Sequence, residues 1–532
     1  MYSYLIRGAT VVDGSGQPPF RADVAIGGEQ IAAIARRIDG PADRQVEADG
    51  LVAAPGFIDI HSHTDATIFR HPLAESKAMQ GVTVEVIGNC GIGAFPVHPE
   101  RKKTLTEYLK MHDFDLPEKT LDWMDFAQYA QRLEQLGLGV HLAPLVSHGA
   151  LRIAAMGAEN RDPNPAEMRE MEGLLTAALQ QGAWGMSTGL IYPPGSFART
   201  EELIALARVL ARFGALYTSH IRGESTTLME ALDEAVRIGK ESGAKVEVSH
   251  LKAMGRDNWG RCREALRKLE LACQEGMDIA ADQYPYEASS TALSVLVPQW
   301  AHDGGVTELL QRLSSPELRA RIREGIIKEM TVRGGAERIM VTSLFSDRNA
   351  DLSGKTVAQI AHSWRCPAEE AVIRLLLEEE GAVGGIFFSL SEEDVTAILV
   401  NDRVSVGSDG RGLNALEDSG EATHPRSYGT FARILGHYVR EKNLLSLTAA
   451  VHKMTALPAG RLGFTDRGLL RPGLAADLVL FDPATVEDRA SFIRSHEYAR
   501  GIVHVWVNGR LLIQEGKFTG ERPGRVLRKS FA

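Results

Sequence analysis

Cysteine is scarce in this chain, which has only four among its 532 residues: Cys90, Cys262, Cys273 and Cys366. So few cysteines cannot form a disulfide framework in a chain of this length, and their scarcity indicates a reducing compartment. The sequence also lacks an apolar run of the ~20 residues that a membrane helix needs. Its N-terminus has no basic segment followed by an apolar one. These absences predict a cytoplasmic protein with no membrane partner.

An excess of positive charge is also missing, since the formal net charge is −10. This balance excludes a general attraction to nucleic acid or to anionic membranes. It does not exclude an anionic small molecule, because a single buried arginine or lysine can bind one. With 44% hydrophobic and 24% charged residues, the composition is that of an ordinary globular protein.

The middle of the chain alternates short apolar segments with amphipathic stretches such as 201–213 and 228–242. Eight buried strands joined by helices are what a parallel (β/α)8 barrel requires. We therefore predict an α/β fold with a catalytic barrel over residues 55–465. The predicted barrel strands are 57–61, 82–88, 140–146, 183–187, 216–220, 245–250, 277–284 and 404–409.

The two ends of the chain differ from the middle in their predicted secondary structure. Apolar strands broken by glycine and proline turns occur at 4–12 and 22–26, and again at 476–481 and 502–509. We predict that residues 1–54 and 466–532 pair into one small β-sandwich domain. The stretch of about 287–400 has helical segments but weak strand signals, and we interpret it as a helical lobe inserted between the last two barrel strands.

Residues that can bind a metal ion stand at or just after the ends of five predicted barrel strands. Because the carboxyl ends of barrel strands converge on one mouth, side chains that are distant in sequence should meet there. His61 and His63 are two residues apart and point to the same side of a strand. The candidate ligands are His61, His63, Cys90, His220, His250 and Asp409.

Nitrogen and sulfur donors with one carboxylate suit zinc better than magnesium or calcium. A single histidine is more often a surface or core residue than a ligand, so the prediction depends on the shared placement of all six. His71, His98, His362 and His452 lack that placement and are interpreted as structural. The other three cysteines lie in helical or loop stretches and are expected to be inert.

Motifs in the same order along nearly the whole chain resemble the D-aminoacylase family of the amidohydrolase superfamily. The segment Pro55-Gly-Phe-Ile-Asp-Ile-His-Ser-His63 resembles the signature that ends the first barrel strand of the superfamily. The more specific motifs are Gly88-Asn-Cys-Gly91, Ser187-Thr-Gly189, Ser219-His-Ile-Arg222, Ser249-His-Leu-Lys252, Tyr284-Pro-Tyr286, Gly407-Ser-Asp-Gly410 and His424-Pro-Arg426.

The resemblance implies roles for these positions. It implies that Cys90, His220 and His250 hold one zinc ion tightly, and that His61, His63 and Asp409 mark a second position, weak or partly empty. The cysteine stands where many relatives have a carbamylated lysine or a glutamate. The number of metal ions, one or two, stays open.

One departure from the family pattern lies beside the predicted ligands. Several characterised D-aminoacylases read His-Thr-His-Asp-Asp where this chain reads His61-Ser-His-Thr-Asp65. The histidines are unchanged, but a threonine, Thr64, replaces the first aspartate. We expect this change to alter the surroundings of the second metal position.

The expected reaction is hydrolysis of the amide bond of N-acyl-D-amino acids. Zinc can lower the pKa of a bound water from ~15.7 to near 7 and can polarise a carbonyl. Asp409 is expected to accept the proton of the attacking water and to pass it to the leaving amine. Arg426 is the main candidate for binding the substrate carboxylate, because a guanidinium holds a carboxylate through two parallel hydrogen bonds. Lys252 and Tyr284 are further candidate contacts, and the resemblance adds Ser290.

Two other enzymatic functions, and a barrel without activity, are alternatives that share parts of this pattern. A hydantoinase-like or dihydroorotase-like cyclic amide hydrolase would share the fold and the metal. A dipeptidase that releases a C-terminal D-residue would perform the same chemistry on a larger acyl group. A barrel without activity should have lost some of the ligands, and all six are present. The sequence leaves open the preferred D-side chain, the oligomeric state and whether the inserted lobe gates the pocket.

Overall fold

The structure is a computed structural model that describes residues 1–114, 116, 118–417 and 422–530. Its strands, in chain order, are β1 (Tyr2–Val11), β2 (Phe20–Gly27), β3 (Gln30–Ala35), β4 (Ala42–Glu47), β5 (Val52–Pro55), β6 (Phe57–Asp59), β7 (Val82–Ile87), β8 (His141–Pro144), β9 (Val146–Ser147), β10 (Gly185–Gly189), β11 (Leu216–His220), β12 (Lys245–Val248), β13 (Ile279–Gln283), β14 (Ser289–Ala292), β15 (Ile339–Leu344), β16 (Val383–Phe387), β17 (Val404–Val406), β18 (Leu478–Phe481), β19 (Ile502–Val507), β20 (Arg510–Gln514) and β21 (Lys517–Phe518). The α-helices are α1 (Glu75–Ala78), α2 (Lys102–Met111), α3 (Phe126–Leu136), α4 (His148–Met156), α5 (Pro165–Gln180), α6 (Thr200–Arg212), α7 (Leu228–Ser242), α8 (Cys262–Gln274), α9 (Val306–Ser314), α10 (Pro316–Val332), α11 (Val357–Trp364), α12 (Ala368–Glu378), α13 (Glu392–Leu399), α14 (Arg426–Arg433), α15 (Leu447–Met454) and α16 (Ala456–Leu462).

The centre of the molecule is a parallel barrel. Strands β6, β7 and β8 pair in that order, and β9, β10, β11, β12, β13 and β17 continue the same parallel arrangement. Leu145 separates β8 from β9, which together form one barrel strand. The first and last strands meet at their carboxyl ends, where the backbone N–H of Asp409 donates to the carbonyl of His61 at 2.7 Å. The predicted (β/α)8 barrel is confirmed.

The helices of the barrel follow from the spacing of their apolar residues. In α7 the buried residues include Leu228, Ala231, Leu232 and Ala235, which recur at three- and four-residue intervals and so face the barrel. The helix ends at Gly243, whose φ of 77° is readily adopted by glycine. Helix and strand therefore alternate because the hydrophobic period changes along the chain.

Both ends of the chain contribute to a second sheet of nine strands in the order β21-β20-β19-β18-β5-β1-β2-β3, with β4 paired to β1. Strands from distant places in this order share one buried apolar cluster, which includes Ile6, Val24, Leu480 and Trp506. The sheet is therefore folded over its own core as a β-sandwich. Its opposite face packs against the barrel, where Phe481 lies near Phe57. The domain boundaries near residues 54 and 466 stay predictions.

The inserted segment contains a three-stranded antiparallel sheet, in the order β14-β16-β15, as well as helices. We predicted a helical lobe and missed these strands because β16 contains Gly384 and Gly385 and β14 is rich in serine. Glycine is depleted in strands, so a pattern of apolar β-branched residues cannot reveal them. Helix α13 packs against α8 and β17 and thus serves as the crossover helix before the last barrel strand.

Among the described residues, no helix combines the length and the apolar character that crossing a lipid bilayer requires.

Candidate metal centre

The structure brings the six predicted ligand residues together at the carboxyl ends of the barrel strands. They form two groups that share Cys90, and within each group the ligand atoms lie within 4.8 Å of one another. The first group, called here the thiolate group, is Cys90, His220 and His250. The second, called here the carboxylate group, is His61, His63, Cys90 and Asp409.

Cys90 is the geometric link between the two groups. Its Sγ lies 3.3 Å from Nε2 of His61 and 3.3 Å from Nε2 of His250. The Cys90 backbone has a φ of 56°, in the left-handed region that non-glycine residues rarely adopt. A Cβ at Gly189 would lie 1.9 Å from the carbonyl oxygen of Cys90, so only glycine leaves room for this turn.

Three ligand residues share this unusual backbone conformation. Cys90, His250 and Asp409 all have positive φ values, 56°, 35° and 51°. Each follows a barrel strand, at the point where the chain must turn sharply at the mouth. Such conformations persist only where the surrounding structure enforces them, and they cluster at functional sites.

The electrostatics of the site favour a cysteine thiolate. Burial alone would raise the pKa of the Cys90 thiol, but the neighbouring His61 and His250 lower it well below its usual value. Nε2 of the buried His220 lies 3.5 Å from Oε2 of Glu224, and neither ring nitrogen has a hydrogen-bond partner within the described part of the chain. A buried imidazole that makes no hydrogen bond and lies beside a thiolate is the arrangement expected of metal ligands.

Two buried carboxylates that the sequence analysis missed orient the ligand histidines. Oε1 of Glu224 lies 3.2 Å from Nδ1 of His250, whose Nε2 faces Cys90. On the other side, Oδ1 of Asp282 lies 3.1 Å from Nδ1 of His61. Such carboxylates fix the orientation of a ligand imidazole and raise its basicity. The only signals in the sequence were weak ones: Glu224 follows His220 by four residues, and Asp282 interrupts an apolar strand.

Asp409 is held as an anion within the carboxylate group. Its Oδ1 lies 3.0 Å from Nε2 of His63, and its Oδ2 lies 2.6 Å from Nη1 of Arg426. Burial would raise the pKa of Asp409, but Arg426 and His250 lower it well below its ordinary value. The guanidinium of Arg426, predicted as a substrate contact, thus already contacts Asp409 and also donates to the carbonyl of Ser290 at 3.0 Å.

The ligand groups open into a cavity between the barrel mouth and the inserted segment. All four predicted substrate contacts, Arg426, Lys252, Tyr284 and Ser290, line it. Nζ of Lys252 lies 2.7 Å from Nδ1 of His250 and donates to Oε1 of Glu224 at 2.5 Å. The hydroxyl of Tyr284 is buried and has no hydrogen-bond partner among the described residues. Further lining residues, not predicted, include His112, Tyr192, Arg333, Phe387, Arg411 and His424.

The remaining histidines and cysteines named in the sequence analysis do not belong to the site. In the described part of the chain, none of them is a member of either ligand group or lines this cavity. These residues are His71, His98, His362, His452, Cys262, Cys273 and Cys366.

The chain matches the model of the Amidohydrolase family over residues 44–323 and 401–513. It is 39% identical to the N-acyl-D-glutamate deacylase of Alcaligenes xylosoxydans xylosoxydans over 99% of this chain and 96% of the relative. It is 36% identical to the D-aminoacylase of the same organism, over 100% of this chain and 98% of the relative. Among solved structures it is similar to an N-acyl-D-glutamate deacylase from Bordetella bronchiseptica, complexed with zinc and a phosphonate inhibitor that mimics the tetrahedral intermediate. That match has a TM-score of 0.84 and 36% identity, and it covers 99% of this chain and 100% of the other.

Proposed function

This chain belongs to the amidohydrolase family, within its D-aminoacylase group, and from that premise we propose that it hydrolyses the amide bond of N-acyl-D-amino acids. The products are a carboxylate and a free D-amino acid. The observation that carries the proposal is the meeting of two ligand groups at Cys90, on the floor of a cavity that also contains Arg426 and Lys252.

The residues fit a zinc ion. The thiolate group offers one sulfur and two imidazole nitrogens, a donor set typical of zinc and foreign to magnesium or calcium. The low pKa of Cys90 and the imidazole of His220, whose nitrogens make no hydrogen bond among the described residues, support the same ion. When bound, zinc would make water reactive near neutral pH and polarise the amide carbonyl. His61, His63 and Asp409 could hold a second ion, and one ion at the thiolate group is the arrangement we propose as essential.

Asp409 is the residue that we propose moves the proton. Its carboxylate borders the cavity, and its low pKa keeps it deprotonated, which is the form that can accept a proton from the attacking water. The amine leaves only after it is protonated, so Asp409 would return this proton to the nitrogen. Proton transfer of this kind typically contributes about 10²–10⁴-fold to a rate.

Arg426 is proposed to bind the α-carboxylate of the substrate. A guanidinium has five N–H donors, and the contacts with Asp409 and Ser290 leave donors free to face the cavity. Arg426 would thereby hold the substrate carboxylate beside the proton acceptor. Lys252, Tyr284 and the hydroxyl of Ser290 are proposed as additional polar contacts, because they line the same cavity.

The test is a panel of N-acetyl-D- and N-acetyl-L-amino acids, with a hydantoin as the cyclic amide control. We expect release of free amino acid from the D-forms, loss of this activity after zinc is removed with a chelator, and recovery when zinc is returned. Acidic, apolar and polar side chains should all be included, because the relatives differ in the substrates that their names state. Preferred hydrolysis of the L-forms or of the hydantoin would contradict the proposal.

A further inference from the structure

A buried polar network lies behind the carboxylate group, on the side away from the cavity. Its centre is Glu85, whose Oε2 accepts hydrogen bonds from the hydroxyls of Ser62 and Thr64, each at 2.5 Å. The same oxygen lies 3.4 Å from Nζ of Lys77. All four side chains are fully buried. Burial of polar groups is tolerated when they are paired, and here Oε2 of Glu85 is paired whereas its Oε1 has no hydrogen-bond partner among the described residues.

The network continues from Lys77 to the last barrel strand. Nζ of Lys77 donates to Oδ2 of Asp59 at 2.7 Å and also to the hydroxyl of Ser408. The Ser408 hydroxyl donates to Asp59 in turn, at 2.5 Å. Lys77 thus joins two buried carboxylates, Asp59 and Glu85, and through them two separate segments of backbone.

These two segments carry His61, His63 and Asp409, the three members of the carboxylate group other than Cys90. Ser62 stands between His61 and His63, and Ser408 immediately precedes Asp409. The described contacts of Glu85 reach neither a ligand side chain nor the cavity. Glu85 can therefore act on the site only by fixing the backbone that presents the imidazoles to Asp409.

We propose that Glu85 is a positioning residue for His61, His63 and Asp409. The Glu85 carboxylate holds the loop that carries both histidines through the hydroxyls of Ser62 and Thr64. Through Lys77 it also holds Ser408, which stands next to Asp409. Because the Thr64 hydroxyl is in direct contact with the Glu85 carboxylate, a carboxylate placed at residue 64 would lie in the same buried network.

The test compares the variant Glu85→Val with the exchange Thr64→Asp/Glu85→Val. Metal-free protein is titrated with Co²⁺, and the absorption of the bound ion reports binding. We expect Glu85→Val to weaken Co²⁺ binding at the carboxylate group by about 10- to 100-fold, the effect typical of losing a residue that orients metal ligands. Binding at the thiolate group should be unchanged. The exchange should restore most of the lost affinity, because it returns one carboxylate to the same place.

Turnover provides a second measurement, which rests on the proposed function. In Glu85→Val we expect kcat for an N-acetyl-D-amino acid to fall while KM stays nearly unchanged, since the cavity wall is intact. A wild-type protein without deacylase activity would refute the proposed function, whereas the Co²⁺ titration would still decide the role of Glu85. The Glu85 proposal is overturned if Glu85→Val binds Co²⁺ like the wild type, or if the exchange binds no better than Glu85→Val.

Glu247→Val is the matched control. Glu247 is also a fully buried carboxylate on a barrel strand paired with a cation, Arg461, but its described contacts do not reach either segment of the network. The Glu247→Val variant should be less stable than the wild type, but it should bind Co²⁺ at both ligand groups with unchanged affinity. If Glu85→Val does not fold, soluble expression of the exchange variant alone would support the proposal. If neither Glu85→Val nor the exchange variant folds, and Glu85→Gln binds Co²⁺ like the wild type, the charge of Glu85 does not position the ligands and the proposal is overturned.

Discussion

The two ligand groups that share Cys90 differ in what surrounds them. In the thiolate group, His250 contacts a closely paired glutamate and lysine, Glu224 and Lys252. In the carboxylate group, Asp409 contacts His63 on one side and Arg426, a cation of the cavity wall, on the other. Both groups border the cavity, but the charges beside His250 balance each other, whereas Asp409 directly contacts the arginine proposed to bind the substrate.

From this difference we infer different tasks for the two groups. A set of sulfur and nitrogen donors, with its imidazoles oriented by a buried carboxylate, is suited to retaining an ion. A carboxylate that contacts both an imidazole and a guanidinium is suited to exchanging a proton beside a bound anion. Changes in one group should therefore affect metal retention and changes in the other should affect turnover.

The largest effect is expected from Asp409→Asn, which should reduce turnover while leaving zinc retention unchanged. The amide cannot accept the proton of water, so kcat should fall by about 10²–10⁴-fold, the usual contribution of proton transfer. Zinc retained by the thiolate group should be nearly unchanged, as measured by metal analysis of the purified variant. Full activity in this variant would refute the role assigned to Asp409.

Glu224→Gln is expected to have a smaller effect, and on metal affinity where Asp409→Asn affects turnover. This change removes the charge that faces Nδ1 of His250 and leaves Lys252 without its anion. Zinc affinity of the thiolate group should fall by about 10- to 100-fold. Competition with a chromophoric chelator measures it, and Asp409→Asn is the matched control. Equal zinc affinities in the two variants would mean that the division of tasks is wrong.

The smallest effect concerns a buried carboxyl outside both groups. Burial raises the pKa of Glu247 from 4.5 to about 7, although Arg461 opposes the shift. A carboxyl with a higher pKa in the folded chain than in the unfolded chain makes stability fall as the pH rises from 4.5 to about 7. Glu247→Gln removes this dependence. The melting temperature of the variant minus that of the wild type should therefore increase by about 1–2 °C between pH 4.5 and about pH 7.

Thermal unfolding of both proteins on either side of the window checks this prediction. Activity and metal content should not change, because the described contacts of Glu247 do not include the ligand groups. A difference in melting temperature that is constant with pH would show that Glu247 does not titrate there.

The residues that chemistry requires could be read from the sequence to a large extent. His61, Cys90, His220 and Asp409 stand out because a polar or thiol side chain interrupts an otherwise apolar strand pattern at its end. The barrel could be predicted for the same reason, since each strand and helix imposes its own hydrophobic period. A sheet such as β14-β16-β15 could not be predicted, because its strands contain glycine and serine in place of β-branched residues.

The buried carboxylates that support the candidate ligands could not be predicted for a different reason. Glu224, Asp282 and Glu85 are ordinary acidic residues in the sequence, and acidic residues are usually found on the surface. Nothing in a linear pattern distinguishes a carboxylate that will be buried behind a ligand from one that will face water. The contact between Thr64 and Glu85 is an example, because 21 residues separate side chains that form a hydrogen bond.

The order of residues by itself determined the type of barrel, the set of candidate metal donors and the strand ends that carry them, because periodicity and residue chemistry are local properties. The tertiary structure alone decided which donors share Cys90, which carboxylates stand behind them and that Arg426 contacts Asp409. These pairings depend on how the barrel closes, and closure joins strands that are hundreds of residues apart in the chain.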